Sequence, residues 1–445
     1  MRVPPELAVF VRNPLPILEQ HMASAADHVE QSQSPPLQTA SSADLLTRVA
    51  QLAPDIARGG DVAQELRRIP QDLCDQLVDA GLFRFTLPEE LGGENASSLQ
   101  TIEVLEAIAA IDASVGWNVM LGSEINAMAA GGMPKDLARE VYLDNPRVIM
   151  CGGGGPGSIP AYAIEQADGS YKVWGETTFI SGCHNATWCF MGAAIMDGDA
   201  PRLDQSGAPV VKMFFLHRSQ WEILDTWDVA GLRGSGSHNV KAEGALVESK
   251  WLPVELMQTP ALYDNPVFRI PVPLRLSYNK VAIALGIARG ALQVFHDLAN
   301  AKVPMLSSSK LMHRPIAQYR MGELTAKYRA ARCYVFDAME RVEAELHRGA
   351  EMPSSEATVA ARLACTYGAQ SCREVVDEVH AACGTSASYM SSPLERKLRD
   401  AHGAASHRWV AHPLYETLGG ILFGLAPDAE FSGTGGPVLG GGGRR

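Results

Sequence analysis

At 445 residues, 46% of them hydrophobic, the chain is too long for one packed unit, since single cores rarely grow past roughly 250 to 300 residues. Its formal net charge of −12 leaves no general basic field, which argues against nucleic acid or an anionic membrane as the main partner and for a small molecule. No run approaches the roughly 20 uninterrupted apolar residues of a membrane span; the most apolar one, 281–298, is broken by Arg289, His296 and Asp297.

Residues 1–42 carry prolines and little periodicity, the composition of a mobile tail, with no apolar h-region that would mark an export signal. From 43 to 146 the pattern is helical: 43–53, 70–80, 97–111 and 115–128, with turns at the Pro88-to-Gly93 stretch and at Gly131-Gly132. Between 147 and 255 short β-type runs such as Tyr171 to Trp174, Val210 to Phe215 and Ala245 to Val247 alternate with Gly, Asp and Pro turn signals. Long helices return from 256 to 425, at 277–301, 313–346, 356–383 and 394–411, the last ending where Pro413 pushes its neighbour out of helical geometry. The first of these is apolar nearly all round and needs cover on several sides, from the bundle core or a subunit interface. Residues 426–445 are Gly-rich linker. The expected fold class is mostly α with a central β-domain. Eight scattered cysteines without a C-x-x-C pair fit reduced cytoplasmic thiols, and no metal is expected.

Four strings resemble the acyl-CoA dehydrogenase superfamily, in its order: Gly81-Leu82-Phe83 through Gly92-Gly93; Phe179-Ile180-Ser181-Gly182 followed by Trp188; Gly231-Leu232-Arg233-Gly234-Ser235 leading to Leu252-Pro253; and Pro393-Leu394-Glu395-Arg396 with Arg399-Asp400. They span residues about 45 to 420 and imply an N-terminal helical domain, a small β-barrel-like domain and a C-terminal four-helix bundle. In the dehydrogenases a glutamate removes a carbon-bound proton from a thioester. The matching position holds Ser391, and the alternative position falls around Leu276 and Ser277, where a hydroxyl is too weak a base. The glycine-rich segment that helps hold FAD across a subunit contact reads Ala381 to Ala387 without the family pattern, so FMN is expected ahead of FAD.

The strings Ser114 to Trp117, Trp227 to His238 and Arg399 to His407 resemble instead the two-component (group D) flavin-dependent monooxygenases. The resemblance implies a monooxygenase that receives reduced flavin from a separate flavin reductase, forms a C4a-hydroperoxyflavin with O2, and oxidises an apolar, aromatic or polycyclic small molecule. It further implies a homotetramer. Ser181 would point its hydroxyl at flavin N5, or cap a turn before Gly182. Phe179 would wall the isoalloxazine, or fill the β-domain core. Arg233 and Ser235, with Ser237, would offer donors and a fixed charge to the flavin or substrate, or form a turn with a solvated arginine. Trp117, His238 and His412 are candidates for the substrate pocket; many members carry a histidine about eight residues after the tryptophan, where this chain has Ile125, so a phenol is not assumed.

His407 is the candidate for holding or passing the proton at the oxygen adduct, because imidazole titrates nearest working pH, with His412 in reserve; otherwise His407 is a surface or satisfied core histidine. On one helix through 394–411 it would lie roughly 140° from His402, sharing its face with the small Gly403 and Ala404. Glu103, Glu106 and Asp112 have the spacing of a solvated helix face. The glycine run at 152–157 lacks the following helix and acid of a dinucleotide site and is expected as a loop over the flavin. Two rival readings stand beside the oxygenase: an FAD-dependent dehydrogenase or oxidase with its base elsewhere, and a catalytically silent binding or assembly protein.

Overall fold

The computed structural model describes residues 42–153, 161–205, 207–251 and 262–427. Most of both terminal tails and most of the 152–157 glycine run lie outside the described residues. The described residues open with five α-helices: α1 (Ser42–Leu66), α2 (Gln71–Asp79), α3 (Ser98–Ile111), α4 (Ala113–Gly132) and α5 (Lys135–Asp144). The expected stop after residue 53 is not there, because α1 runs through Pro54 and continues to Leu66. Start signals explain the next boundaries. Ser97 and Gln100 form a reciprocal capping box at α3, and Asp112 caps α4 by accepting from the Val115 N–H at 2.9 Å.

Among the described residues eight strands follow as one curled sheet: β1 (Met150–Gly153), β2 (Tyr162–Glu165), β3 (Tyr171–Ile180), β4 (Trp188–Asp197), β5 (Ala200–Pro201), β6 (Val211–His217), β7 (Glu222–Leu224) and β8 (His238–Val247). β4 is the hub, pairing in parallel with β1 and β2 and antiparallel with β5 and β6. β3 pairs antiparallel with β8, and the register slips between Thr177 and Ile180. That slip lets the chain leave the ladder immediately before Ser181.

The last part packs α6 (Val272–Ala301), α7 (Pro315–His347), α8 (Ser355–Cys383) and α9 (Pro393–Ala405), with a short α10 (Leu414–Leu422) against α8. The all-round apolar helix is α6. Its cover comes from its own chain, with α3 and α4 on one side and α7, α8 and α9 on the others. Among the described residues it alone is long and apolar enough to cross a bilayer, and 67% of its most apolar stretch is buried in the protein. α6 and α3 approach closely at Gly286, where an added Cβ would sit 2.5 Å from the Glu106 carbonyl oxygen of α3, and at Gly290, where it would sit 2.3 Å from that of Ala110.

Two expectations are corrected. Glu106 and Asp112 are not a solvated face: each is 1% exposed. Glu106 accepts from Tyr328 and from Arg332 Nε at 2.9 Å, tying α3 to α7, and only Glu103 is partly exposed. The helix expected to reach residue 411 ends at Ala405, and single turns carry the chain to Pro413. Gln370 of α8 donates to the carbonyls of both Ala405 and Val410, each at 2.9 Å, and so satisfies acceptors that a longer helix would have used internally.

Candidate functional site

The N-terminal helices, the sheet and the bundle meet at Ser181. Its hydroxyl accepts from the indole N–H of Trp117 on α4 at 3.1 Å and lies 2.6 Å from the Ser237 hydroxyl, which is 2.7 Å from that of Ser235. Trp117 is a donor only, so the direction of that bond is settled. A proton order running from Ser235 to Ser237 to Ser181 then leaves the Ser181 proton free to be given outward. The turn-cap alternative does not describe Ser181, because its Oγ bonds side chains rather than the following backbone. A crevice beside Ser181 and Gly182 is lined by Phe83, Asn118, Gly122, Ile149 and Met150.

The Gly231-to-Ser237 loop is held there by three contacts from two helices. Asp400 of α9 accepts from the Leu232 N–H at 2.6 Å, Arg399 donates to the Ala230 carbonyl, and Asn118 of α4 donates to the Gly234 carbonyl at 3.0 Å. The loop has little slack: Leu232 is left-handed at φ 53°, and a Cβ on Gly231 would fall 2.1 Å from the Arg399 carbonyl oxygen. Burial, then the Asp112 carboxylate, pushes Asp400 up to about 6.

Phe179 is not a core residue. It holds a left-handed φ of 60° and leaves its ring 56% exposed, edge-on to Trp227. A phenylalanine in that backbone region is strained, and strain of this kind gathers at functional sites. An exposed aromatic ring, a hydroxyl chain and a glycine at φ 71°, Gly182, side by side, suit the flat face and polar edge of an isoalloxazine.

His407 reaches the same place by a different route from the one its spacing suggested. It stands on the turn after α9, where its ring meets Trp117 edge-on with centroids 5.6 Å apart. The Trp409 N–H donates to its Nδ1 at 3.4 Å, which assigns the neutral ring's proton to Nε2. Burial, then the Lys280 ammonium, depresses its pKa well below the ordinary range. His402 is on another face, bonded to Asp377 at 2.8 Å.

Three candidates have other partners. Arg233 donates to the carbonyls of Gln64, at 3.1 Å, and Val229, at 2.8 Å, pinning the loop to α1, so it is not a free surface charge. His238 accepts from the N–H groups of Thr226 and Trp227 and stacks edge-on against His184, lining a separate cleft with Arg67 and Asp225. His412 is exposed beside Tyr415.

Spacing alone did not bring out a buried polar group between α4 and α6. Glu124 and Lys280, each side chain 2% exposed, form an ion pair at 2.5 Å, and Asn279 donates to the other Glu124 oxygen at 2.7 Å. One turn earlier on α6, Arg275 is 3% exposed, and among the described residues its Nε and Nη1 have no hydrogen-bond partner. The only signal in the sequence was charge inside otherwise apolar helices.

The comparisons identify the scaffold. Residues 48–141 match the acyl-CoA dehydrogenase N-terminal domain and residues 279–412 the C-terminal domain. Indole-3-acetate monooxygenase of Pseudomonas putida is 30% identical over 373 residues, 84% of this chain and 92% of that protein. The oxygenase component of p-hydroxyphenylacetate 3-hydroxylase from Acinetobacter baumannii is 25% identical, over 87% of this chain and 91% of its own. A crystal structure of 3-HSA hydroxylase from Rhodococcus sp. RHA1 superposes with a TM-score of 0.77 at 25% identity, covering 87% of this chain and 98% of that one.

The chain belongs to the acyl-CoA dehydrogenase family. Within it, the protein is a flavin-dependent monooxygenase, the oxygenase component of a two-component system. The dehydrogenase positions agree with this. Ser391 is exposed at the start of α9, and Ser277 is fully buried with its hydroxyl spent on the Pro273 and Trp409 carbonyls at 2.8 and 2.9 Å. Glu124, further along α4 from Trp117, has both its oxygens already occupied by Lys280 and Asn279.

Proposed function

We propose that this oxygenase uses reduced FMN from a separate flavin reductase to oxygenate an aromatic carboxylic acid of the arylacetate type. Phe179, Ser181, Gly182 and the Ser235-Ser237 loop would hold the flavin, which in its reduced form supplies the electrons that activate O2. Ser181 would offer its proton to flavin N5, with Trp117 and Ser237 fixing the hydroxyl. His407, neutral and carrying its proton on Nε2, would hold a hydrogen bond at the oxygen side of the ring and keep the site from shedding peroxide.

The observation that carries the acid is Arg275. A buried guanidinium with two nitrogens unsatisfied among the described residues is costly, and Glu124, the carboxylate whose charge it feels, is already paired with Lys280. An anionic end on the substrate would satisfy it, while Leu276, Ile125, Phe190 and Trp409, which share one apolar cluster, would cover an aromatic ring. The named substrates of both relatives above are arylacetates.

The test compares binding of indole-3-acetate with 3-methylindole, which lacks the carboxylate, to the anaerobic enzyme with reduced FMN. Wild type is expected to prefer the acid, and Arg275→Met to lose roughly 10- to 100-fold for the acid alone, the range of a hydrogen bond to a charged group. Equal affinity of wild type for both ligands would refute the acid reading. Titration with reduced FMN and reduced FAD in parallel decides the carrier; FMN is favoured because the 381–387 segment lacks the family's dinucleotide pattern. We also propose a cytoplasmic homotetramer. Eight free thiols and the exposed apolar side chains of Met305, Leu306, Tyr389 and Met390 support this.

A further inference from the structure

The Glu124–Lys280 pair is expensive to bury, and an ion pair removed from water contributes little net stability, so the packing of α4 on α6 does not by itself explain it. Its surroundings suggest another use. Glu124 lies seven residues after Trp117, two helical turns along α4, and therefore on the same face. Lys280 lies three residues after Ser277, on the same face of α6. Ser277 donates to the Trp409 carbonyl at 2.9 Å, and the Trp409 N–H donates to His407 Nδ1. The face of α6 that carries Lys280 thus grips the turn that carries His407, while the face of α4 that carries Glu124 supplies the Trp117 ring against which His407 rests.

We infer that Glu124 and Lys280 are positioning residues for His407, seating a fixed ammonium behind the 407–409 turn so that the imidazole presents one N–H, on Nε2, to the flavin site. Glu124 is needed to keep Lys280 charged, because burial alone lowers the pKa of that amine. Lys280 in turn opposes protonation of the ring, as does Arg408 from the same turn. The remaining charges around the turn act in the same sense or are neutralised. Arg362 of α8 lies over the Trp409 ring at 5.6 Å, and Arg275 adds a cation toward the Glu124 carboxylate. A ring held neutral can accept or give one proton in turnover. A ring already protonated could only donate.

This inference rests on His407 belonging to the flavin site, and its test separates the two ideas. The titration of the His407 ring is followed by NMR of the full-length, histidine-labelled protein without turnover, with its signal assigned by its loss in His407→Asn. In wild type the ring is expected to titrate well below an exposed histidine. Lys280→Met should move its titration upward by at least about one pH unit, Glu124→Gln, which lets the buried Lys280 lose its proton, should move it in the same direction, and Lys280→Arg should keep wild-type behaviour. A purely packing role would move all three variants alike or not at all. If Lys280→Met does not fold, the double variant Glu124→Gln/Lys280→Met removes the buried charges together and should still shift the ring upward. No upward movement in either variant, or a Lys280→Arg protein shifted as far as Lys280→Met, would overturn the inference. Product formed per reduced flavin consumed, measured in His407→Asn, reports separately on whether His407 serves the reaction at all.

Discussion

Asp400→Asn offers a test in which sign and size both come from the structure. Asp400 is 1% exposed and accepts from the Leu232 N–H at 2.6 Å; an asparagine oxygen can accept the same bond, so the loop stays clamped. Burial and the Asp112 charge raise the acid from its usual value of 3.8 to about 6. An acid whose folded value lies above its unfolded one makes the fold less stable as pH rises from about 4 to about 6, and the loss then persists at higher pH. At about 1.36 kcal/mol per unit the full cost is about 3 kcal/mol, and about 1.4 kcal/mol of it is recovered on going from about pH 7.5 to about pH 5. Denaturant unfolding of wild type and variant at those two pH values isolates this group, because other titrations cancel in the difference. Wild type should gain about 1.4 kcal/mol more than Asp400→Asn on acidification, and the variant should be the more stable protein at about pH 7.5. Equal pH responses would show that the carboxylate is already solvated or paired, and the account of the clamp as a buried acid would be wrong.

His407→Asn should leave reduced-flavin affinity within about two-fold while sending more of the flavin's electrons to hydrogen peroxide than to product, read as product formed per O2 consumed; unchanged coupling would remove His407 from the site. Gly286→Ala should cost about 1 to 3 kcal/mol in thermal or denaturant unfolding, because its Cβ would stand 2.5 Å from the Glu106 carbonyl oxygen; a neutral result would mean α3 and α6 can move apart freely.

Much of the scaffold could be read from local pattern. Helix periodicity, the Ser97 and Asp112 caps and the turn chemistry of the sheet region are short-range effects, and the element order they predict is the observed one. Pro54 was misleading because a proline in an otherwise apolar-periodic stretch reads as an end, yet α1 passes through it. Lys135–Asp144 and Leu414–Leu422 escaped notice because each helix is only nine or ten residues long and takes its stability from what it packs against.

For the site, the residue types were legible and their directions were not. Ser181, Phe179, Trp117 and His407 were all visible in family-like strings, but the single-helix argument that turned His407 inward was unsound, since Gln370 breaks that helix from another element. Arg233 and His238 sit in the same strings and bond elsewhere, because Gln64, Thr226 and Trp227 claim them. The local sequence determined which segments are helix or strand and which chemical groups the chain owns. Which buried groups pair, as Glu124 with Lys280, and which have nitrogens without a partner among the described residues, as Arg275, was decided only when distant segments met, since the cost of an unpaired polar group exists only after water has been excluded.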